Sequence, residues 1–460
     1  MHTTEEQKKS ASNIDQEFVT DIVAKALQAG ASDAEAVFAE GDEFETLVRL
    51  GQVEQLKEAG SRALGLRVFQ GNRTASTSTS DLSNEGIEHL VSGAMTLVQV
   101  TSEDPFAGLP EPEEFGKLAG DLDLYYDDVY SLPAAERIEY ARRTEAAAMA
   151  ADARIQNSGG GSFDAATGRK ILVNSRGFVG EARRSSCSIA AQPIALSPDG
   201  GMQRDYWYSS QRSLALLDSP ESVGLEAARR TVRKLGARKV PTQRVPLVFA
   251  PEVASSILGA IIGAINGNAV YRSSSFLAGK LGEAVAGSNL TIIDDGTTRG
   301  GFGSAPFDGE GLPTRRKTVL DKGVLTSYLL NTYTARKLGL RSTGNASRGL
   351  AGSPGISCGN FYLEPGEKTP EEIIAAIPNG LYVTDLIGHG VNIVTGDYSH
   401  GASGLWIENG ELSYPVEEIT VAGNLKEMLH NISSIGNDFI FRSAVACPTI
   451  VIEGMTIAGE

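Results

Sequence analysis

The chain has 460 residues, 41% of them hydrophobic and 21% charged, which describes an ordinary water-soluble globular composition spread over several domains. Its 41 basic and 57 acidic residues leave a net charge of −16, and the short basic runs Arg183-Arg184 and Arg315-Arg316-Lys317 do not segregate charge enough to grip a phosphate backbone. Direct nucleic-acid binding is therefore not expected. Three widely spaced cysteines, Cys187, Cys358 and Cys447, form neither a disulfide framework nor a cysteine-rich metal site, and they suit a reducing cytoplasm.

The N-terminal stretch MHTTEEQKKSASNIDQ lacks an apolar leader core. The longest apolar run, Ile257 to Ile265, is glycine-broken and far short of the ~20 residues that span a bilayer, so no membrane association is expected. Asn13 to Ala29 has Ile14, Phe18, Ile22, Val23 and Leu27 at helical spacing, with Gly30 as a stop. Short β-rich runs follow at Ala34–Ala39, Phe44–Leu50, Gln52–Glu58, Arg62–Gln70 and Asn72–Ser78, punctuated by glycines as in an antiparallel meander. A helix over Asn84–Gln99 closes this unit.

Residues 101–133, with PFAGLPEPEEFG and the acidic run Asp121 to Asp128, read as a linker lying over a surface. A second unit spans 134–237, with a helix over Ala134–Ala153, strands at Ile155, Lys170–Asn174, Gly177–Cys187 and Tyr206–Ser210, and a helix over Pro220–Leu235. From residue 238 a strand at Pro246–Ala250 leads to a small-residue helix, Glu252–Ala264. Strands and turns dominate beyond it: Thr291–Asp294, Arg316–Leu320, Val324–Asn331, Leu405–Ile407 and Leu412–Val416, with short helices at Thr334–Leu338, Pro370–Ile377 and Leu425–Ile435. The expected class is α+β: helix and antiparallel-sheet layers over 13–100 and 134–237, then a mostly antiparallel β domain over 238–460.

Chemistry is sought first in LIGHGVNIVTGDYSHGASGLWIENGE, Leu386 to Glu411, which places His389 and His400 around Asp397 among six glycines. Gly388, Asn392 and Ser399 add backbone freedom and polar groups. A metal site across this hairpin, or a Ser399–His400–Asp397 triad, is conceivable, but adjacent side chains on a strand point to opposite faces. Turn stabilisation is the plainer reading. Gly300-Gly301-Phe302-Gly303 matches neither common phosphate-loop pattern, Asp294-Asp295 reads as a solvated strand end, and Cys447 reads as a buried small hydrophobe.

The segment from Ile387 to Asn424, with TGDYSHGASGLWIENGEL and PVEEITVAGNL, then Ile435-Gly436-Asn437-Asp438 and the close PTIVIEGMTIAG, resembles the TldD/PmbA family, also called modulators of DNA gyrase. Gly282-Glu283, Ile292 to Gly296, Thr343-Gly344-Asn345 and Asn360 to Gly366 extend the resemblance over almost the whole chain. It implies a heterodimeric zinc metalloprotease whose catalytic subunit carries H-E-x-x-x-H on the first helix of its C-terminal domain and a cysteine ligand near its C-terminus. Here Leu258 and Gly263 stand where the histidines would be and Gly259 where the base would be, and the cysteine-bearing loop is short or missing.

The resemblance therefore implies the PmbA or TldE type of subunit, with no metal or cofactor of its own and zinc held by a TldD-type partner. Unfolded peptide is the implied substrate of the pair, as in maturing peptide antibiotics and degrading antitoxins. Gly388, His389, Asn392, Asp397, Ser399 and His400 are the expected peptide or dimer contacts. Two other readings stand beside it: a self-sufficient hydrolase using His389, Asp397 and His400, and a homodimeric peptide-binding module without catalysis.

Overall fold

The computed structural model describes residues 15–198 and 200–459. The N-terminal tail up to residue 14, including the first residues of the helix expected from Asn13, lies outside the described residues. Helix α1 (Gln16–Gln28) starts where the Asp15 carboxylate accepts from the Phe18 amide at 3.0 Å, and it buries Val19, Ile22, Val23 and Ala26 on one stripe. Strands β1 (Asp33–Arg49), β2 (Gln52–Gln70) and β3 (Arg73–Thr79) follow, then helix α2 (Asn84–Val100), capped by Ser83. After the largely irregular stretch 101–133 come α3 (Ala134–Ala150), β4 (Ile155–Asn174), β5 (Val179–Leu196), β6 (Met202–Arg204), β7 (Trp207–Gln211) and α4 (Pro220–Val232).

These strands form one sheet in the order β3-β2-β1-β4-β5-β6, with β7 also on β5. The short runs expected from the sequence are fused: β1, β2 and β4 pass straight through Gly41, Gly60 and Gly168. Gly41 is needed because a Cβ there would run into the Thr167 carbonyl of the neighbouring strand, so the glycine marks close approach and not a turn. The real turn lies at Leu50 and Gly51, both at positive φ, and the Glu145 carboxylate of α3 accepts their amides at 2.8 and 2.9 Å. One half of β1 thus packs under α1 and α2 around Phe38, and the other under α3 around Phe44 and Val48.

The C-terminal part opens with β8 (Gln243–Phe249) and α5 (Pro251–Ile265). Strands β9 (Ile292–Asp295), β10 (Arg316–Asp321), β11 (Val324–Leu325), β14 (Asn360–Leu363) and β19 (Val445–Ala446) make one sheet, and β12 (Ala346–Ser347) with β13 (Gly355–Ile356) a small ribbon. A second sheet takes β15 (Asn379–Ile387), β16 (Asp397–Glu408), β17 (Glu411–Asn424), β18 (Ile432–Ile435) and β20 (Ile450–Ala458) together with β8. Pairing of β17 with β20 joins β17-β16-β15-β8-β20 into a closed ring, and α5 packs its apolar face on that sheet. Pairing is antiparallel except for β8 with β15 and β14 with β19.

The expected Leu405–Ile407 and Leu412–Val416 are likewise parts of the longer β16 and β17, and two further elements differ in kind. The strand over Val324–Asn331 is regular only at Val324–Leu325, because Leu329 leaves the sheet to bridge Asn266. The helix over Leu425–Ile435 stops at His430, and β-branched Ile432 and Ile435 continue as β18 along β20. The α+β class holds: layered helices and antiparallel strands, followed by a mostly antiparallel β domain. No helix among the described residues is long and apolar enough to cross a membrane.

Candidate functional site

Helix α5 enters directly from β8 through Ala250 and Pro251, so the strand and helix share one rigid corner. Val253, Ala254, Ile257, Leu258, Ile261, Ala264 and Ile265 are buried on the sheet side. Leu258 is 2% exposed, Gly259 is exposed, and Gly263 is partly covered. What covers Gly263 is the glycine-rich loop between β15 and β16: a Cβ on Gly263 would stand 3.6 Å from Ile393 Cγ2. The Ile393 carbonyl in turn accepts from the Phe276 amide at 2.8 Å, which pins the loop over the helix.

That loop is a compact turn. The Asn392 amide donates to the Asp397 carbonyl at 2.8 Å, and the Asn392 side chain accepts from the Val394 amide at 2.9 Å. Gly390 lies against the Ser399 carbonyl so closely that any Cβ would collide, and its own carbonyl accepts from the Ser399 amide at 2.7 Å. Gly388 sits at φ +85 with open space around it. His389 is exposed.

Along β16 the faces alternate: Asp397 and Ser399 are exposed, Tyr398 and His400 buried. The Asp397 carboxylate accepts from Thr395 Oγ1 at 2.6 Å and from Asn424 Nδ2 at 3.1 Å, bonds that hold it below the usual carboxylate range and spend it on the turn. The His400 ring lies tilted against Tyr398 with centroids 4.6 Å apart, and burial pushes the imidazole below its ordinary value. Burial pushes the Tyr398 phenol up. The strand therefore separates Asp397 and Ser399 from His400. Among the described residues no three His, Cys, Asp or Glu side chains converge as metal ligands. Cys447 is 3% exposed within the apolar core, where burial raises its thiol and disfavours the thiolate a metal would need.

A second feature was not legible in the sequence. A cavity of about 430 Å³ lies where the inner face of the N-terminal sheet meets the C-terminal domain. Lys170 and Arg184 line it from β4 and β5, and Asp294, Lys317, Asn345 and Cys358 from the other side. Asp294 is fully buried, not a solvated strand end: Lys317 Nζ lies 2.7 Å away, Asn345 Nδ2 donates at 2.9 Å and the Gly359 amide at 2.6 Å. Asp308 accepts the amides of Glu310, Leu312 and Ala346, yet burial and neighbouring Glu310 push its carboxyl up to about 7. The loop at Gly300 to Gly303 is a structural tie, its Gly301 and Phe302 carbonyls each accepting from Arg212 at 3.0 Å.

Matches to known families cover each part of the chain: the PmbA/TldA metallopeptidase domain 1 over residues 34–98, the central domain over 127–235 and the C-terminal domain over 242–459. The "Metalloprotease PmbA" of Escherichia coli O157:H7 is 41% identical over 94% of this chain and 94% of its own length. This chain belongs to the PmbA/TldD family. The "Metalloprotease PmbA homolog" of Haemophilus influenzae is 36% identical over 96% of this chain and 95% of that one. Among solved structures, a candidate modulator of DNA gyrase from Bacteroides thetaiotaomicron superposes with TM-score 0.90 at 29% identity, covering 100% of both chains. TldE from Thermococcus kodakarensis shares the fold, with TM-score 0.86 at 21% identity over 96% of this chain and 100% of that one.

Among the PmbA/TldD residues that sequence reasoning did not bring together, Lys170, Arg184, Asp294 and Lys317 come from four strands and three of them from stretches noted only as short charge runs. For the first two, the strand register gives small partners: Ala39 and Ala182 flank Lys170, and Gly168 lies opposite Arg184.

Proposed function

We propose that this chain is the metal-free accessory subunit of a heterodimeric zinc metalloprotease that degrades or processes unfolded peptides, with the zinc held by a TldD-type H-E-x-x-x-H partner. The observation that carries the reading is the state of α5. Where a catalytic subunit would present two histidines and a glutamate, this helix has Leu258 in the core, a bare Gly259, and Gly263 partly covered by Ile393. Zinc catalysis needs three protein ligands and an open position, and an apolar contact supplies neither. The naming of full-length relatives as metalloproteases supports a role in proteolysis. A reducing cytoplasm suits its free cysteines.

The glycine-rich turn from Gly388 to Ser399 is our candidate for the surface shared with the partner or with peptide, since it carries exposed His389, Asn392 and Asp397 beside α5. Co-expression with an H-E-x-x-x-H sister, light scattering on the purified material and hydrolysis of an unstructured peptide test the proposal. A complex of one copy each, more active than the sister alone, is expected. A chain that stays homodimeric in the sister's presence and leaves her turnover unchanged would overturn it in favour of a separate peptide-binding module.

A further inference from the structure

The cavity beneath the N-terminal sheet holds positive charge that the chain itself does not balance. Lys170 on β4 stands opposite Ala39 of β1 and Ala182 of β5, and Arg184 stands opposite Gly168, so all of them share the face turned toward the C-terminal domain. A Cβ on Gly168 would lie 3.5 Å from Arg184 Nε, which places the guanidinium stem over the bare glycine backbone beside Lys170. Diagonal neighbours on one sheet face stand ~7–8 Å apart, a spacing at which two cationic heads converge on one anionic group.

The other cations around this cavity are engaged. Arg169 pairs with Glu40 at 3.0 Å and Glu181 at 2.7 Å, Arg183 with Glu181 at 3.1 Å, Lys317 with Asp294 at 2.7 Å, and Arg348 with Glu35. Lys170 Nζ instead donates to a neutral acceptor, the Arg348 carbonyl, at 3.3 Å. The carboxylates nearest to it are occupied elsewhere, Glu35 by Arg67 and Arg348, Asp308 by three backbone amides. Neither Lys170 nor Arg184 forms an ion pair among the described residues.

We propose that this cavity binds a small carboxylate ligand whose carboxylate is held between the Lys170 ammonium and the Arg184 guanidinium. A guanidinium fork and an ammonium match the two oxygens of a carboxylate. The volume lies toward the small end of ligand pockets and takes a ligand no larger than a short peptide. The carboxylate could be the C-terminus of a short peptide or belong to a free organic acid. This inference is independent of the accessory-subunit reading, since it concerns this chain alone.

The test is isothermal titration calorimetry of the full chain with trialanine, trialanine amide, glutarate and inorganic phosphate, repeated on Lys170→Met and Arg184→Gln. Binding of trialanine or glutarate is expected, weakened at least tenfold in each variant, with the amide inert. Trialanine alone would assign a peptide C-terminus, glutarate alone a free acid. Arg184 is exposed, so Arg184→Gln keeps the fold and reports even where Lys170→Met is destabilised. No carboxylate binding at millimolar concentration, binding of phosphate alone, or equal affinity in wild type and Arg184→Gln would overturn the proposal.

Discussion

Restoring the first histidine of a zinc helix, Leu258→His, tests the reading of α5 most sharply. Leu258 is 2% exposed and sits among Phe249, Ile261 and Leu381 in the largest apolar cluster. Removing it from that environment forfeits about 1.5–3 kcal/mol of burial. An imidazole in its place brings a polar group with no partner nearby, at about 1–3 kcal/mol more. The expected loss is therefore roughly 2.5–6 kcal/mol, a large part of the ~5–15 kcal/mol that holds a typical domain together. Urea unfolding followed by circular dichroism gives the number, read as a lower midpoint at unchanged slope. The triple variant Leu258→His, Gly259→Glu, Gly263→His is expected to bind no zinc in equilibrium dialysis, because a side chain at 263 would point against Ile393 and the loop that Phe276 pins there, and not into an open site. A loss below about 1 kcal/mol for Leu258→His, together with zinc uptake by the triple variant, would refute the argument that packing has replaced the site.

Other outcomes follow from the same geometry. Gly65→Ala forces a Cβ into the Leu350 carbonyl, where the N-terminal sheet touches the C-terminal domain, and is expected to lower the thermal midpoint and expose Lys170 to amine-reactive labelling. Lys317→Met strands a fully buried Asp294 with only Asn345 and the Gly359 amide as donors, for an expected loss of about 3–5 kcal/mol in denaturant unfolding. Glu145→Ala leaves the Leu50 and Gly51 amides without their acceptor and should cost roughly 1–3 kcal/mol by the same assay. Burial first, then Arg348 and Arg184, push Lys170 down to about 8 against the pull of Asp308 and Glu35. Carboxylate affinity measured by calorimetry should therefore fall as pH rises through about 8. Between about 8 and 10.5 the unfolded chain holds the Lys170 proton that the folded chain has released, so this residue's contribution to stability rises with pH there.

The helices were legible because their apolar stripes are local, as with Ile22 and Val23 of α1, whereas the caps Asp15, Ser83 and Ser219 are found only in the structure. Strand lengths were not, because Gly41, Gly60 and Gly168 look like turn residues in sequence, and the strand neighbour that leaves Gly41 no room for a Cβ has no local signature. The hairpin around His389, Asp397 and His400 was visible as a cluster in sequence. What sequence could not supply was the alternation that buries His400 and leaves Asp397 to its turn. The cavity was invisible for a different reason. Its Lys170, Arg184, Asp294 and Lys317 meet only when one face of the N-terminal sheet docks on β9 and β10, a contact with no local signature.

The central claim is that zinc chemistry belongs to the partner and not to this chain. Zinc content by plasma emission spectrometry, with peptide turnover on the same sample of this chain purified alone, tests it most directly. Substoichiometric zinc and no turnover in this chain alone, with zinc and turnover appearing only once the H-E-x-x-x-H sister is added, is the predicted result. One zinc per chain with turnover that His389→Ala or His400→Ala abolishes would contradict it and move the active site to the hairpin.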